Sequence, residues 1–174
     1  INYRKASTEA LLQQDVRNRV NELHSLMTYL YNANQGKLNN QEIKTLITES
    51  VRGLRYNNGR GYYFIDTLAG DVVLYPVAPE SEGKNLYYLQ DERGNFSLQQ
   101  EIALVKQHGQ GFIEGYWKKP GNDTGHDQKK ITFVKKFEHF NWYFGTGEYT
   151  DVIEQQVKDE LKGYVNQLTY GKDR

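Results

Sequence analysis

The chain has 174 residues, the length of one domain, and its 22 basic side chains balance its 22 acidic ones. This balance argues against a dedicated nucleic-acid binder, which concentrates a basic excess on one face. The absence of cysteine excludes thiol catalysis, thiolate metal sites and disulfide bonds. No apolar run approaches the roughly 20 residues that span a membrane. The chain lacks an initiator methionine and opens inside a helical pattern at Ile1, so we expect a piece of a longer protein.

Two amphipathic helices are predicted at the N-terminal end. The first carries an apolar stripe at spacings of four and three residues, formed by Val16, Val20, Leu23, Met27 and Leu30. It is expected to end before Gly36, which suits a left-handed cap. Asn39, with Glu42 three residues later, predicts a capping box at the start of the second helix. This helix is expected to end at the Asn-Asn-Gly turn of residues 57–59.

From Gly61 onward the apolar pattern changes to that of strands. Residues 62–65 and 72–75 are rich in β-formers and flank turn chemistry, which predicts a hairpin that Pro76 ends. Ser97, with Gln100 three residues later, predicts the N-cap of a short helix that closes at Gly109. Three more strands are predicted within residues 112–117, 131–137 and 142–147, and a last helix from residue 151. Segregated strands with short connections favour an antiparallel sheet in an α+β domain.

The candidate chemistry is sparse. No histidine has a metal-ligand spacing, and no nucleophile elbow or phosphate-binding loop is present, so we predict no metal, no cofactor and no catalytic residue. Lys130 opens a β-branched strand in which alternation separates it from Ile131 and Phe133. A lysine that points inward among aromatic rings is costly unless an anion pairs with it. The alternative is that each ammonium group reaches water.

Six motifs, in order along the chain, resemble those of the single Cache domains. They are G-Y-Y-F-I at 61–65, L-A-G-D-V-V-L-Y-P at 68–76, G-K-N-L at 83–86, G-F-I-E with Y-W and K-P-G at 111–121, K-I-T-F-V-K at 130–135 and W-Y-F-G-T-G-E-Y at 142–149. Each motif alone is weak, but six in this order are specific. The helices predicted on both sides also agree with that family.

The resemblance implies an α+β, PAS-like fold. An antiparallel five-stranded sheet would carry a long N-terminal helix packed along it and a C-terminal helix leading to the membrane. Residues 1–56 would form the N-terminal helices, residues 60–149 the sheet and ligand pocket, and residues 151–170 the C-terminal signalling helix. The whole chain, residues 1–174, would be one ligand-binding domain.

The resemblance also implies a function in signal transduction and not an enzyme. Such domains are periplasmic sensors of chemotaxis receptors, histidine kinases and cyclic-nucleotide enzymes, and they often bind small monocarboxylates such as acetate, propionate or pyruvate. The full-length protein would be anchored by flanking transmembrane helices that are absent here. Because such receptors pair through their first helix, we expect a parallel homodimer.

The family's ligand-contacting positions can be carried over onto matching residues of this chain. They give the predicted ligand-binding set Tyr63, Tyr75, Pro76, Lys84, Tyr116, Lys130, Phe133 and Gly145. Tyr75 replaces the family's histidine and Phe133 its tyrosine, so the hydrogen-bond set differs and the exact ligand stays open. Tyr116 stands where the family often has arginine or tryptophan. More of the anion's charge would therefore fall to Lys130 or Lys84.

Three alternatives remain open from the sequence. The first is a periplasmic interaction module of the same fold, which binds a partner protein or an amino acid instead of a small acid. The second is an enzyme, supported only by polar residues near the expected cleft. The third is an intracellular PAS-type cofactor domain, which the lack of cysteine and of a convincing histidine ligand disfavours.

Overall fold

Residues 2–121 and 124–172 are described by a computed structural model of the chain. The helices are α1 (Asn2–Asn34), α2 (Asn40–Arg52), α3 (Ser97–His108) and α4 (Thr150–Lys172). The strands are β1 (Phe64–Thr67), β2 (Val72–Leu74), β3 (Gln110–Trp117), β4 (Gln128–Lys136) and β5 (Trp142–Tyr149). A short 3-10 turn, Pro79–Ser81, lies in the long connection between β2 and α3.

The five strands form one sheet in the order β2-β1-β5-β4-β3, and every neighbouring pair is antiparallel. The last strand therefore lies in the middle, between the first hairpin and the β3–β4 pair. The predicted α+β architecture with a five-stranded antiparallel sheet is confirmed. The functional division at residues 1–56, 60–149 and 151–170 stays a prediction.

One face of the sheet is covered by α1 and α2. The apolar stripe of α1 packs there together with Ile43, Ile47 and Val51 of α2. The strands contribute side chains of one parity to this core, including Ile65 and Phe144. We call it the α1 face. Burial of these side chains holds the long helix along the sheet, since each fully buried aliphatic or aromatic group contributes roughly 1.5–3 kcal/mol.

The opposite face carries α3 and the connection that follows β2. Leu98, Ile102 and Val105 of α3 pack against Val134 and Tyr143 of the sheet. These strand residues have the other parity, as strand geometry requires. We call this the α3 face. Because α3 is only 12 residues long, it leaves part of the face to the connecting loop.

Several helix ends agree with the local sequence signals that predicted them. Asn39 accepts a hydrogen bond from the Glu42 backbone at 2.8 Å, and the Glu42 carboxylate accepts one from the Asn39 backbone at 3.1 Å. Gly109 has a φ of 76° after α3, a left-handed conformation that glycine adopts without strain. The predicted capping box and C-cap are therefore confirmed.

Two predicted helix boundaries are wrong. The helix α2 ends at Arg52, with Gly53 as C-cap, and residues 57–59 form a turn between Tyr56 and Gly61, whose backbones pair. The N-cap of α3 is Phe96, and Ser97 is the first helical residue with no side-chain cap. The Ser97 hydroxyl instead interacts with the Asp91 carboxyl, whose pKa is lowered, against the effect of burial, mainly by Asn95 and to a smaller extent by Ser97.

Two strand boundaries also differ from the prediction. The ladder of β1 begins at Phe64 and not at Tyr62, because the Tyr62 carbonyl accepts a hydrogen bond from the Thr146 hydroxyl instead of a strand partner. Lys130 does not open β4, since the strand begins two residues earlier at Gln128. Lys130 thus lies inside the ladder, opposite Gly115 on β3.

Candidate ligand-binding site

A cavity lies on the α3 face, between the sheet and the connection that follows β2. It is small, with a cavity volume of about 20 Å³, a little more than the roughly 10–15 Å³ that one water molecule needs, so a ligand of several heavy atoms has to displace wall side chains. Its wall is formed by Tyr62, Phe64, Asp66, Val72, Tyr75, Leu86, Leu98, Trp117 and Lys130. The wall is therefore aromatic and aliphatic, apart from one lysine and one aspartate.

Lys130 supplies the cationic side of the cavity. Its side chain is 2% exposed, and the ammonium nitrogen lies 4.1 Å from the ring centre of Tyr62 and 5.5 Å from that of Tyr149. A Cβ added at Gly147 on β5 would lie 2.9 Å from Cε of Lys130. The lysine stem therefore occupies the space that a side chain at Gly147 would need.

The charge of Lys130 has no direct partner. Across residues 2–121 and 124–172, no carboxylate lies within ion-pairing distance of its ammonium group. Burial lowers the pKa of Lys130 to about 8, against the charges of Glu101 and Glu148, which raise it. At neutral pH the lysine is therefore still mostly protonated, and it holds a desolvated charge that only aromatic faces and distant carboxylates offset.

The rings of Tyr62 and Tyr149 lie beside this ammonium group, and the Tyr62 hydroxyl interacts with those of Tyr75 and Tyr149. Burial raises the pKa of Tyr62, and interactions with Tyr75 and Tyr149 raise it further. Burial likewise raises the pKa of Tyr75 and that of Tyr149, the latter to about 12. The hydroxyls therefore stay neutral, and the Tyr149 hydroxyl donates a hydrogen bond to the Lys118 carbonyl. The ring of Tyr75 meets that of Trp117 edge to face, with centroids 6.2 Å apart.

Acidic groups lie on the other side of the cavity. Asp66, in the wall, is 5% exposed, and Glu101, on α3, is 2% exposed. The Tyr143 hydroxyl donates a hydrogen bond to Oε1 of Glu101 at 2.9 Å. Burial raises the pKa of Asp66 well above its usual range and that of Glu101 to about 7. Neither carboxyl behaves as an ordinary surface acid.

The structure brings together two of the predicted ligand-binding residues. Lys130 and Tyr75 both line the cavity, one from β4 and one from the residue after β2. Pro76 follows Tyr75 and is half-buried, but it does not contribute to the wall. Gly145 lies on the cavity side of β5, where an added Cβ would come within 3.0 Å of Phe64, so it stands behind a wall residue.

Tyr63 and Phe133 lie on the α1 face, across the sheet from the cavity. Tyr63 packs in the core beside Tyr56, and Phe133 stacks edge to face on Phe112 with ring centres 4.8 Å apart. Both have the strand parity opposite to that of the cavity residues. The structure therefore does not bring them to the cavity, since neighbouring strand residues point to opposite faces, and their role in ligand binding stays a prediction.

Tyr116 and Lys84 also lie outside the cavity. Tyr116 borders a neighbouring outer hollow and carries the Arg93 guanidinium over its ring at 4.7 Å. The Lys84 side chain is exposed, although its backbone carbonyl accepts a hydrogen bond from the Val72 amide at 2.9 Å. The structure therefore gives Lys84 no role as a second cation, and the charge of an anionic ligand would fall to Lys130 alone.

Sequence analysis missed most of the cavity wall. Tyr62, Phe64 and Asp66 alternate along the first strand region, and Trp117 is the neighbour of the predicted Tyr116. The alternation of side chains along each strand could have identified these residues. Once the strands are paired, this alternation shows which residues share a face of the sheet with Lys130. Glu101 carried no such signal, since an acid in a short helix usually faces water.

A family profile for the Cache domain matches residues 1–174, and the chain therefore belongs to the Cache domain family. Cache domains are sensory ligand-binding domains in the extracytoplasmic parts of membrane receptors. Across residues 2–121 and 124–172, no helix combines the length and the apolar character that crossing a membrane requires.

Among full-length relatives, the chain is similar to the methyl-accepting chemotaxis protein McpP of Pseudomonas putida (strain KT2440). The two are 24% identical over 127 residues, which is 73% of this chain and 23% of that protein. The chain thus spans less than a quarter of the length of the curated relatives it matches. The similarity concerns the sensor part of such a receptor.

Two solved structures share the fold over nearly their whole length. A periplasmic sensor domain of a chemotaxis protein has a TM-score of 0.76 and 28% identity, and the alignment covers 80% of this chain and 96% of that one. A Cache chemosensory domain described for carboxylic acid recognition also has a TM-score of 0.76, with 23% identity and coverage of 83% and 97%. The second comparison shows the fold alone.

Proposed function

We propose that this domain senses a small monocarboxylate of the acetate, propionate or pyruvate type. The observation that carries the proposal is the buried, unpaired ammonium group of Lys130 in the wall of an aromatic cavity. A charge out of water is stabilised most by an ion of opposite sign that also forms a hydrogen bond. Carboxylic acid recognition by a neighbour of the same fold supports this ligand class.

In the proposed complex the carboxylate lies between Lys130 and the hydroxyl of Tyr75. The ring of Trp117 and the side chain of Leu98 would enclose the short apolar end of the acid. An acid of six heavy atoms gains at best about 9 kcal/mol, at roughly 1.5 kcal/mol per atom. Micromolar affinity is therefore the realistic upper limit, which suits the sensing of a nutrient.

The route for a signal begins at the same lysine. The ammonium group of Lys130 lies over the ring of Tyr149, the last residue of β5, and α4 starts at the next residue. The helix α4 in turn packs along α1, where Thr8 donates a hydrogen bond to Glu160 at 3.2 Å. A ligand that moves Lys130 would bias the position of α4 relative to α1, which a signal requires.

The larger protein around this domain is also part of the proposal. We expect a receptor anchored in the inner membrane by helices that flank the domain, with the cavity in the periplasm. A methyl-accepting, kinase or cyclase module would read the movement of α4 in the cytoplasm. Two copies would pair in parallel through α1. The domain itself would bind its ligand without transforming it.

A small amino acid is the second candidate ligand. The observation that favours it is Asp66, which lines the same cavity as Lys130 and carries the opposite charge when it is ionised. The ammonium and carboxylate of an amino acid would then each find a partner. An interaction module without a small ligand would instead be expected to fill the cavity with its own side chains.

Calorimetric titration tests the proposal directly. We expect heat from at least one of acetate, propionate, pyruvate and lactate, with glycine and alanine as competitors for the second candidate. Lys130→Met should lower the affinity by at least a hundredfold, because the methionine keeps the apolar stem and loses the charge.

Lys129→Met is the matched control for this experiment. Lys129 is the preceding residue of the same strand, and its ammonium group is exposed and paired with Glu114 at 3.2 Å. Removing that surface charge should leave ligand affinity within about twofold. Equal affinity of Lys130→Met and the native protein would remove Lys130 from the site and end the proposal.

A further inference from the structure

Two carboxyl groups share a single hydroxyl donor behind the cavity. Asp66 comes from β1 and Glu101 from α3, and both are almost fully buried. The Tyr143 hydroxyl donates to Glu101 at 2.9 Å, and its interaction with Asp66 is the weaker of the two. Because a tyrosine hydroxyl has one proton, it cannot satisfy both acids at once.

Asp66 forms no ion pair in the described part of the chain, although Lys130 lines the same cavity. The ionisable side chains around it are Glu101 from α3, Tyr143 from β5, Lys130 from β4, Tyr75 after β2 and Tyr62 on its own strand. Within residues 2–121 and 124–172, neither Asp66 nor Glu101 forms an ion pair. Two neighbouring acids in this setting cannot both be ionised.

We propose that Asp66 is a ligand-contacting residue that stays protonated at neutral pH and donates its carboxyl proton, as a hydrogen bond, to the carboxylate that Lys130 holds. The inference rests on the function proposed above and adds a second anchor to it. Asp66 takes this role because it lines the cavity, whereas Glu101, a buried residue of α3, is not part of the cavity wall.

The electrostatics of the pair agree with this assignment. Burial raises the pKa of Asp66 well above its usual range and the charge of Glu101 raises it further, against a smaller lowering by the Tyr143 hydroxyl. Burial also raises the pKa of Glu101, but the Tyr143 hydroxyl and the charge of Lys130 act against that rise. The remaining proton therefore resides on Asp66. A carboxylic acid that an apolar site keeps neutral is a strong hydrogen-bond donor to an anion.

The state of Asp66 decides which ligands the cavity accepts. A protonated Asp66 leaves Lys130 as the only charge in the wall, so the cavity favours an anion without an amino group. An ionised Asp66 would favour the ammonium group of an amino acid and would repel a simple acid. The protonation state of Asp66 therefore determines which of the two candidate ligands the cavity binds.

Asp66→Asn is the decisive variant because asparagine has the same shape, cannot ionise and still donates from its amide. We expect its affinity for the best-bound of acetate, propionate, pyruvate and lactate to stay within about threefold of the native value at pH 7. Asp66→Leu should lose at least tenfold, since leucine fills similar space without a donor. Far-ultraviolet circular dichroism would verify that both variants fold.

The pH dependence provides a second readout. Above the pH at which Asp66 loses its proton, native affinity should fall about tenfold per unit, while the Asn variant lacks this fall. Lys130 titrates in both proteins, so the ratio of the two affinities isolates Asp66. Infrared spectroscopy at pH 7 should show a protonated carboxyl band that Asp66→Asn mostly removes, whereas Glu101→Gln removes only the smaller part due to Glu101, whose pKa is about 7.

Three results would overturn the inference. If Asp66→Asn loses as much acid affinity as Asp66→Leu, the ligand does not depend on a hydrogen bond donated by residue 66. Binding of glycine or alanine that Asp66→Asn abolishes would show an ionised Asp66. Loss of the infrared band in Glu101→Gln alone would place the proton on Glu101. If none of the four acids binds the native protein at any pH between 6 and 9, the proposed function itself fails.

Discussion

Replacing Lys130 by methionine should make the ligand-free domain more stable, although it removes the residue on which binding is proposed to depend. The ammonium group is buried against the rings of Tyr62 and Tyr149 without an ion pair. Methionine keeps a similar volume and contacts in a flexible apolar side chain. The variant therefore removes the desolvated charge and leaves little empty space.

The size of this effect follows from the pKa of the lysine. Burial lowers it from 10.5 to about 8. At 1.36 kcal/mol per unit, this difference corresponds to a destabilisation of about 3 kcal/mol by the charge at pH 7. A lysine whose pKa is lowered by folding destabilises most below the folded pKa, and stability recovers as pH rises toward the unfolded value. At pH 10 the remaining penalty is about 1 kcal/mol.

Urea unfolding at pH 7 and pH 10 measures both values. Lys130→Met should unfold with a free energy about 3 kcal/mol larger than the native protein at pH 7, and the gain should shrink to about 1 kcal/mol at pH 10. Lys129→Met, whose charge is exposed, controls for the loss of a lysine. A less stable Lys130→Met at pH 7 would refute the reasoning, because it would mean that the aromatic contacts more than compensate the desolvation.

Two further changes test the packing and the local structure. Gly147→Ala places a Cβ 2.9 Å from both Cε of Lys130 and Cα of Thr132. It should therefore destabilise the domain by about 1–3 kcal/mol and weaken acid binding. Unfolding curves and calorimetric titrations that match those of the native protein would contradict the close packing. Asn39→Ala removes the side-chain half of the capping box of α2. It should lower the free energy of unfolding, measured in urea, by about 1 kcal/mol. Ligand affinity should not change, because the cap lies far along the chain from the cavity residues.

The architecture was predictable because several local signals agreed with one another. The stripe of α1, the capping box at Asn39 and the left-handed Gly109 each specify an element or its end without reference to the rest of the chain. Six weak motifs in the right order then identified the family. Only boundaries that depend on tertiary contacts, such as Ser97 turning toward Asp91, could not be read from local spacing.

The site was harder to predict, since it depends on which face of each strand is covered. In the run Tyr62-Tyr63-Phe64 every residue is apolar or aromatic, so composition does not mark the cavity side. Only the packing of α1 against one face and α3 against the other separates Tyr62 from Tyr63. In the sequence, the same alternation already puts Lys130 and Phe133 on opposite faces of their strand. Only the family resemblance placed both residues in the predicted ligand-binding set.

The direct passage from β5 into α4 makes the last helix a lever. Tyr149 ends the central strand and Thr150 begins the helix, so no flexible linker absorbs a displacement between them. At 1.5 Å per residue, the 23 residues of α4 extend about 34 Å. A tilt of about 5° at its base would therefore shift the far end by about 3 Å. Under the proposed function, a small adjustment around the buried ammonium group would become a movement on the scale of half a helical turn.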